Sequence, residues 1–254
     1  MPIFHWDIDQ GSGEWHRLRS GIPTASMFDK IITPKTLKLS AQRIPYACRL
    51  IAERLLNWQG ESLDYIAAIA AGKEGEPDAV KRFEFVTETI TRPLGFATTD
   101  DGRFGASPDR VIGHSIDSPP PASVDAIAEV KVPTIPIQMQ RLLFGHDDAY
   151  RCQVQGQLLV TEAERSVFYS WHPRMPAYQA DTTRDEPFIR SLEDCLEQFS
   201  DELEELMERA RSLGTYQAFA ELLTPLDAAR GPETEKDLAD IIEGDLGNKL
   251  QWGG

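Results

Sequence analysis

From Ala126 to Val132 the chain reads Ala-Ile-Ala-Glu-Val-Lys-Val, an apolar run broken only by an acid and a lysine two positions apart. Seven residues suit a buried strand better than a helix. Side chains alternate along a strand, so Glu129 and Lys131 point to the same face. An acid and a lysine on an apolar strand are costly unless something pairs or uses them. This segment therefore asks for a buried sheet with polar work to do at one place on it.

The flanking text supplies helices to cover such a sheet. Ile3 to Ile32 reads as an entry segment with a short helix. Ile44, Ala47, Ile51 and Leu55 give helical spacing from Arg43 to Asn57, and Asp64 to Ala71 continues with Ile66, Ala67, Ile69 and Ala70. Gly72 is expected to break that pattern, with a new helix from Glu76 or Pro77 to about Thr89, Pro77 in its first turn. Short strands are expected at Phe96–Thr99, Gly102–Ala106 and Arg110–Ile112, separated by turns such as Asp100-Asp101-Gly102, and a polar loop at Gly113–Ser123. A helix from Asp148 to Val160 and a strand from Ser166 to Trp171 follow. Ile189, Leu192, Leu196, Phe199, Leu203, Leu206, Ala210 and Leu213 form one long amphipathic helix with an acidic outer face. The fold class is α/β, a mixed central sheet flanked by helices. The domain reading is one unit over 1–213 and a C-terminal extension, 214–254, of weaker patterning.

At 254 residues the chain buries enough surface to need no disulfide or structural metal. Cys48, Cys152 and Cys195 form no CxxC pair, and none of the five histidines has ligand spacing. No apolar run reaches membrane-span length, and the N-terminus lacks a secretory pattern, so a cytoplasmic setting is expected. The formal net charge is −15, but it is uneven: from Glu186 onward there are 17 acidic and 6 basic residues. The N-terminal part is nearly balanced, so the overall acidity is no objection to a local phosphate-binding channel there.

Ser107-Pro108-Asp109 precedes the buried strand by 20 positions and can bring a second carboxylate to Glu129. Two carboxylates and a backbone carbonyl, that of Val130, make a hard oxygen site suited to Mg²⁺, with Mn²⁺ as a substitute. Such a metal polarises a phosphodiester and activates water, and Lys131 would orient that water or offset charge on the phosphate. A structural salt bridge between alternate strand positions is the competing reading. Pro108-Asp109 followed by Glu129-x-Lys131, the only E-x-K in the chain, resembles the PD-(D/E)xK nuclease core.

Further motifs extend the resemblance. Trp15-His16-Arg17-Leu18-Arg19-Ser20-Gly21-Ile22-Pro23-Thr24-Ala25-Ser26, Gly72 to Ala79, Ser107-Pro108-Asp109, Glu129-x-Lys131-x-Pro133 and Tyr150-Arg151-Cys152-Gln153-Val154-Gln155 occur in order. Together they resemble phage lambda-type exonucleases, the YqaJ-like viral recombinase family, over about Trp15 to Pro176. The resemblance implies that Asp109 and Glu129 are Mg²⁺ ligands, Lys131 is the catalytic lysine, and Glu76 completes the metal and water site. It implies that Arg19, Ser26, Ser107 and Gln153 clasp a terminal 5′-phosphate, a task that guanidinium, hydroxyl and amide donors suit. Pro23, Val132 and Gly75 depart from the family pattern without removing a charged or phosphate-binding group.

The implied activity is Mg²⁺-dependent 5′-to-3′ digestion of double-stranded DNA ends, releasing mononucleotides and leaving 3′ single strands. The implied partners are a single-strand annealing protein and two further copies of the chain in a ring-shaped homotrimer. A PD-(D/E)xK endonuclease and a non-catalytic DNA-end-binding or scaffold protein are the alternatives. Each residue also has a plainer reading. Arg19 could pack its stem on Trp15, Gln153 and Gln157 could be one polar helix side, and Glu76 could be a first-turn acid.

Overall fold

The computed structural model describes residues 1–58, 67–145 and 148–217, all within one compact unit, Met1–Leu222. The chain opens with β1 (Ile3–His5), α1 (Gly13–Arg19), a 3₁₀ turn at Ala25–Met27 and α2 (Phe28–Ile31). A small hairpin, β2 (Ile32–Thr33) and β3 (Lys38–Leu39), leads to α3 (Arg43–Leu56) and α4 (Ala67–Thr87). Four short strands follow: β4 (Thr91–Pro93), β5 (Phe96–Thr98), β6 (Gly105–Ala106) and β7 (Arg110–Ile112). Then come β8 (Ala126–Lys131), α5 (Ile135–Phe144), α6 (Asp148–Thr161), β9 (Arg165–Ser170), β10 (Tyr178–Thr183) and α7 (Glu186–Ser212).

Five strands form the central mixed sheet in the order β10-β9-β8-β7-β4. β8 and β9 are parallel, with Glu129 opposite Phe168 and Lys131 opposite Ser170; the other pairings are antiparallel. A smaller antiparallel sheet has the order β1-β5-β6 and joins the entry segment to the middle of the chain. The parallel pair needs a crossover, which α5 and α6 supply.

Period-two alternation on β8 divides the core. Ile127 joins the larger apolar cluster built with α2, α3, α6 and α7, whereas Ala126, Ala128 and Val130 join Ala79 and Phe83 of α4. α7 follows its expected spacing closely, burying Phe188, Ile189, Leu192, Leu196, Phe199, Leu203 and Met207. Leu206 and Ala210 pack half-buried against the core, Met207 is buried besides, and Leu213 is exposed.

The expected break at Gly72 is absent. α4 runs through both Gly72 and Pro77, so Pro77 lies inside the helix and not in its first turn. A glycine costs a helix interior only about 1 kcal/mol, less than packing can return. The packing is visible at Gly75, where a Cβ would lie 2.9 Å from Val132 Cγ1. An aromatic there would push α4 off the strand. Elements not expected include β1, a second short helix in the entry segment, the β2–β3 hairpin, β4, β10 and α5. α5 escapes pattern reading because its polar side faces inward. Gln138 and Arg141 are buried and bond to Ser170 and Tyr150, while Met139, Leu143 and Phe144 are exposed. The expected positions Asp64 to Ile66, and the C-terminal extension beyond Gln217, lie outside the described residues. Cys48, Cys152 and Cys195 form no disulfide.

Candidate active site

Glu129 and Lys131 continue the Ile127 face of β8 towards α6. Glu129 is 1 % exposed, and both of its carboxylate oxygens are held. Oε1 accepts from Gln153 Nε2 and Oε2 from Gln157 Nε2, each at 2.6 Å; the two glutamines lie one turn apart on α6. Lys131 Nζ is ion-paired with Glu129 Oε1 and lies 3.9 Å from Asp109 Oδ2.

Asp109 stands just before β7. Pairing between β7 and β8 stops at Arg110 opposite Ala128, so the Val130 N–H has no strand partner on that side. It donates to Asp109 Oδ2 at 2.7 Å instead. A strand residue turns its N–H and C=O to the same side, so the Val130 carbonyl faces the edge that Asp109 occupies.

These groups shift one another. Burial pushes the Asp109 carboxyl up to about 8, helped by the charges of Glu129 and Glu76 and opposed by Lys131 and the Val130 N–H. Burial works against the Lys131 charge, but Glu129 and Asp109 outweigh it and hold the ammonium above its ordinary range. Among the described residues, no third His, Cys, Asp or Glu joins this pair in a metal-sized cluster. The charge of Glu76 adds to the upward push on Asp109. Two carboxylates that already bracket one cation, with a carbonyl at the strand edge, fit Mg²⁺, which retains several of its waters.

A second group of side chains faces the same space. Ser12 caps α1 by accepting the Trp15 N–H, and this short helix presents Trp15 and Arg19 on one face. The Arg19 guanidinium lies 3.9 Å over the Trp15 ring, and burial lowers it to about 10. Among the described residues it has no carboxylate within salt-bridge distance, only Thr24 Oγ1 at 3.4 Å. A desolvated guanidinium without a carboxylate is a waiting anion site. Thr24 Oγ1 lies 3.3 Å from Ser26 Oγ, and Trp15 Nε1 donates to Gly95 O at 2.9 Å and to Ser107 Oγ at 3.2 Å.

α3 holds the loop that carries these groups. Gly21 has φ +73°, and a Cβ there would fall 2.4 Å from Arg54 Cγ, so the turn requires glycine. Glu53 Oε2 accepts the Gly21 N–H at 2.7 Å, Arg54 Nε donates to Gly21 O at 2.8 Å, and Tyr46 OH accepts the Thr24 N–H at 3.2 Å.

One cavity of about 170 Å³ is lined by Arg19, Ser26, Ser107, Asp109, Glu129, Lys131 and Gln153 together. These residues come from α1, the 3₁₀ turn, the β6–β7 connection, β8 and α6. Glu76 and Val130 are not among the lining residues. Gln10, Trp15, Thr24 and Gln157 also line the cavity but were given no role from sequence. For Gln157 the signal was present, a glutamine four residues after Gln153 on the same helix face. Trp15 and Thr24 lay inside a quoted motif without a chemical assignment. Gln10 carried no signal; it reaches the site by donating to Leu94 O and Pro108 O across more than 80 residues of chain.

Comparison with solved structures gives similar chains. An alkaline exonuclease (LHK-Exo) from Laribacter hongkongensis is 27 % identical with a TM-score of 0.67, covering 80 % of this chain and 100 % of that one. LHK-Exo in complex with dAMP is 28 % identical with a TM-score of 0.68 over the same shares. A phage related exonuclease from Haemophilus somnus 129PT, 12 % identical, shares the fold with a TM-score of 0.53 over 74 % of this chain and 96 % of that one. No curated protein matches significantly. The YqaJ-like viral recombinase domain matches residues 14–164, a span that takes in every lining residue named above except Gln10. With more than half its length matched and the α/β fold shared, the chain belongs to the YqaJ-like viral recombinase family.

Proposed function

We propose that this chain is a Mg²⁺-dependent exonuclease that digests double-stranded DNA from 5′ ends, releasing mononucleotides and leaving 3′ single strands. The observation that carries the reading is one cavity in which a carboxylate–lysine cluster meets the half-buried Arg19 guanidinium, which has no carboxylate within salt-bridge distance among the described residues. Similarity to alkaline exonucleases of known structure supports it. The cavity residues all precede the end of α6, so nuclease function is assigned to 1–213, with 214–254 as an extension.

In this reading Asp109, Glu129 and the Val130 carbonyl hold the metal. Bound Mg²⁺ supplies Lewis-acid charge to the phosphodiester and activates water. Lys131 donates to the attacking water or to the phosphate oxygen that gains charge. Gln153 and Gln157 keep the Glu129 carboxylate from turning away. Arg19, Ser26, Ser107 and the second hydrogen of the Gln153 amide bind the terminal 5′-phosphate, setting the scissile bond at a fixed distance from the end. A DNA end is the substrate, a single-strand annealing protein the recipient of the 3′ strand, and a homotrimeric ring the assembly.

Linear duplex with 5′-phosphoryl ends should be degraded to mononucleotides with Mg²⁺ and survive in chelator, while closed circular duplex survives both. Cutting of the closed circle would make the chain an endonuclease, and inertness towards linear DNA in Mg²⁺ or Mn²⁺ would make it an end-binding protein. Asp109→Ala and Lys131→Ala should each lower the rate on linear DNA by at least about 10³-fold without loss of folding by circular dichroism.

A further inference from the structure

Two hydrogen-bond directions behind the cavity wall are fixed, because indole and guanidinium groups donate and never accept. Trp15 Nε1 donates to Ser107 Oγ, so the Ser107 oxygen is an acceptor on its buried side and its own hydrogen is left for the cavity. Arg19 Nη2 donates to Thr24 Oγ1 and takes up one of its two lone pairs; Thr24 Oγ1 and Ser26 Oγ lie 3.3 Å apart, and either hydroxyl can be the donor. With Thr24 as donor, Ser26 accepts from it and turns its own hydrogen to the cavity. Thr24 is itself fixed from behind, 5 % exposed and with its N–H on Tyr46 OH.

We propose that Trp15 and Thr24 are specificity-determining positioning residues, which polarise Ser107 and Ser26 so that both serines meet the ligand as hydrogen donors. The ligand class is a fully ionised phosphate monoester, whose oxygens only accept. A 5′-hydroxyl end offers a donor and no charge, so it meets this wall poorly. The inference rests on the 5′-phosphate reading of the cavity and adds to it the source of discrimination. Aligned donors in a chain strengthen one another, so the Arg19 charge reaches the ligand twice, directly and through the Thr24–Ser26 relay. The indole does two separable things: its face carries Arg19 and its edge orients Ser107.

The test compares wild type with Thr24→Val, which keeps the branched shape without the hydroxyl, and Trp15→Phe, which keeps a ring without the N–H. Thr24→Ser restores the relay, and Arg19→Ala reports on the pocket itself. Two quantities are read: the ratio of digestion rates on 5′-phosphoryl and 5′-hydroxyl linear duplex, and the affinity for inorganic phosphate by calorimetry without metal. Thr24→Val and Trp15→Phe should each lower both by about tenfold, with Thr24→Ser close to wild type and melting temperatures retained. If both quantities stay unchanged in Thr24→Val and Trp15→Phe while Arg19→Ala loses them, the relay is overturned and the pocket stands. If Arg19→Ala is unchanged as well, the phosphate binds elsewhere and the relay falls with the pocket.

Discussion

A proton on Asp109 and a metal at the same carboxyl exclude each other. The metal-free folded protein holds this carboxyl at about 8, far above its unfolded value of roughly 3.9. A raised carboxyl contributes stability that is fully present below the unfolded value and is lost as pH rises towards 8. In chelator, the melting temperature should therefore fall between pH 5 and pH 9 by more than in Asp109→Asn, which has no charge to form. The difference at pH 9 should reach at least about 3 °C, the shift that roughly 1 kcal/mol gives in a chain of this size. Mg²⁺ should raise the melting temperature more at pH 9 than at pH 6. Equal Mg²⁺ effects at both pH values would mean that the ion binds away from Asp109.

At the scale of elements, α3 holds the Arg19 loop with three side chains on one face, Tyr46, Glu53 and Arg54. Burial pushes the Tyr46 hydroxyl up to about 12, so it stays neutral and accepts from Thr24 across the working range. Its ring stacks on Phe199 of α7, 5.9 Å between centroids, which ties the loop to the long helix. Glu53→Ala would strand the buried Gly21 N–H, a loss of about 1.5–3 kcal/mol for a bond to a charged acceptor. Chemical denaturation should show that loss together with a smaller preference for 5′-phosphorylated ends. An unchanged preference in a destabilised variant would make the α3 contacts structural only.

For the whole molecule, charge is sorted by region. The cavity belongs to the nearly balanced N-terminal part, while the acids concentrate from Glu186 onward. On α7 some of these acids pair back onto α3, Arg43 with Glu202 and Arg54 with Glu204; exposed Glu205 and Glu208 face outward. Such a surface repels phosphate over about a Debye length, roughly 8 Å at physiological salt, and so favours approach of DNA at the cavity side. No helix among the described residues is long and apolar enough to cross a membrane. The proposed ring predicts a solution mass three times the 28.5 kDa of the chain by light scattering. A concentration-independent monomer would remove the ring and leave end recognition to the cavity alone.

Local periodicity was enough to find β8, α3, α6 and α7, because a strand or helix packed on a core carries its burial pattern in its own residues. Motif order was enough to bring Asp109, Glu129, Lys131, Arg19, Ser26, Ser107 and Gln153 forward as candidates. α4 was misread at Gly72 and Pro77 because tight contact between Gly75 and Val132 outweighs local propensity. α5 went unseen because its inward face is polar, satisfied by partners 9 to 38 positions away. Trp15, Thr24 and Gln157 gain their roles only from where their atoms lie relative to Ser107, Arg19 and Glu129. The reason is physical: burial patterns are local, but the direction of a hydrogen bond and the pKa of a carboxyl depend on neighbours brought in by folding from distant parts of the chain.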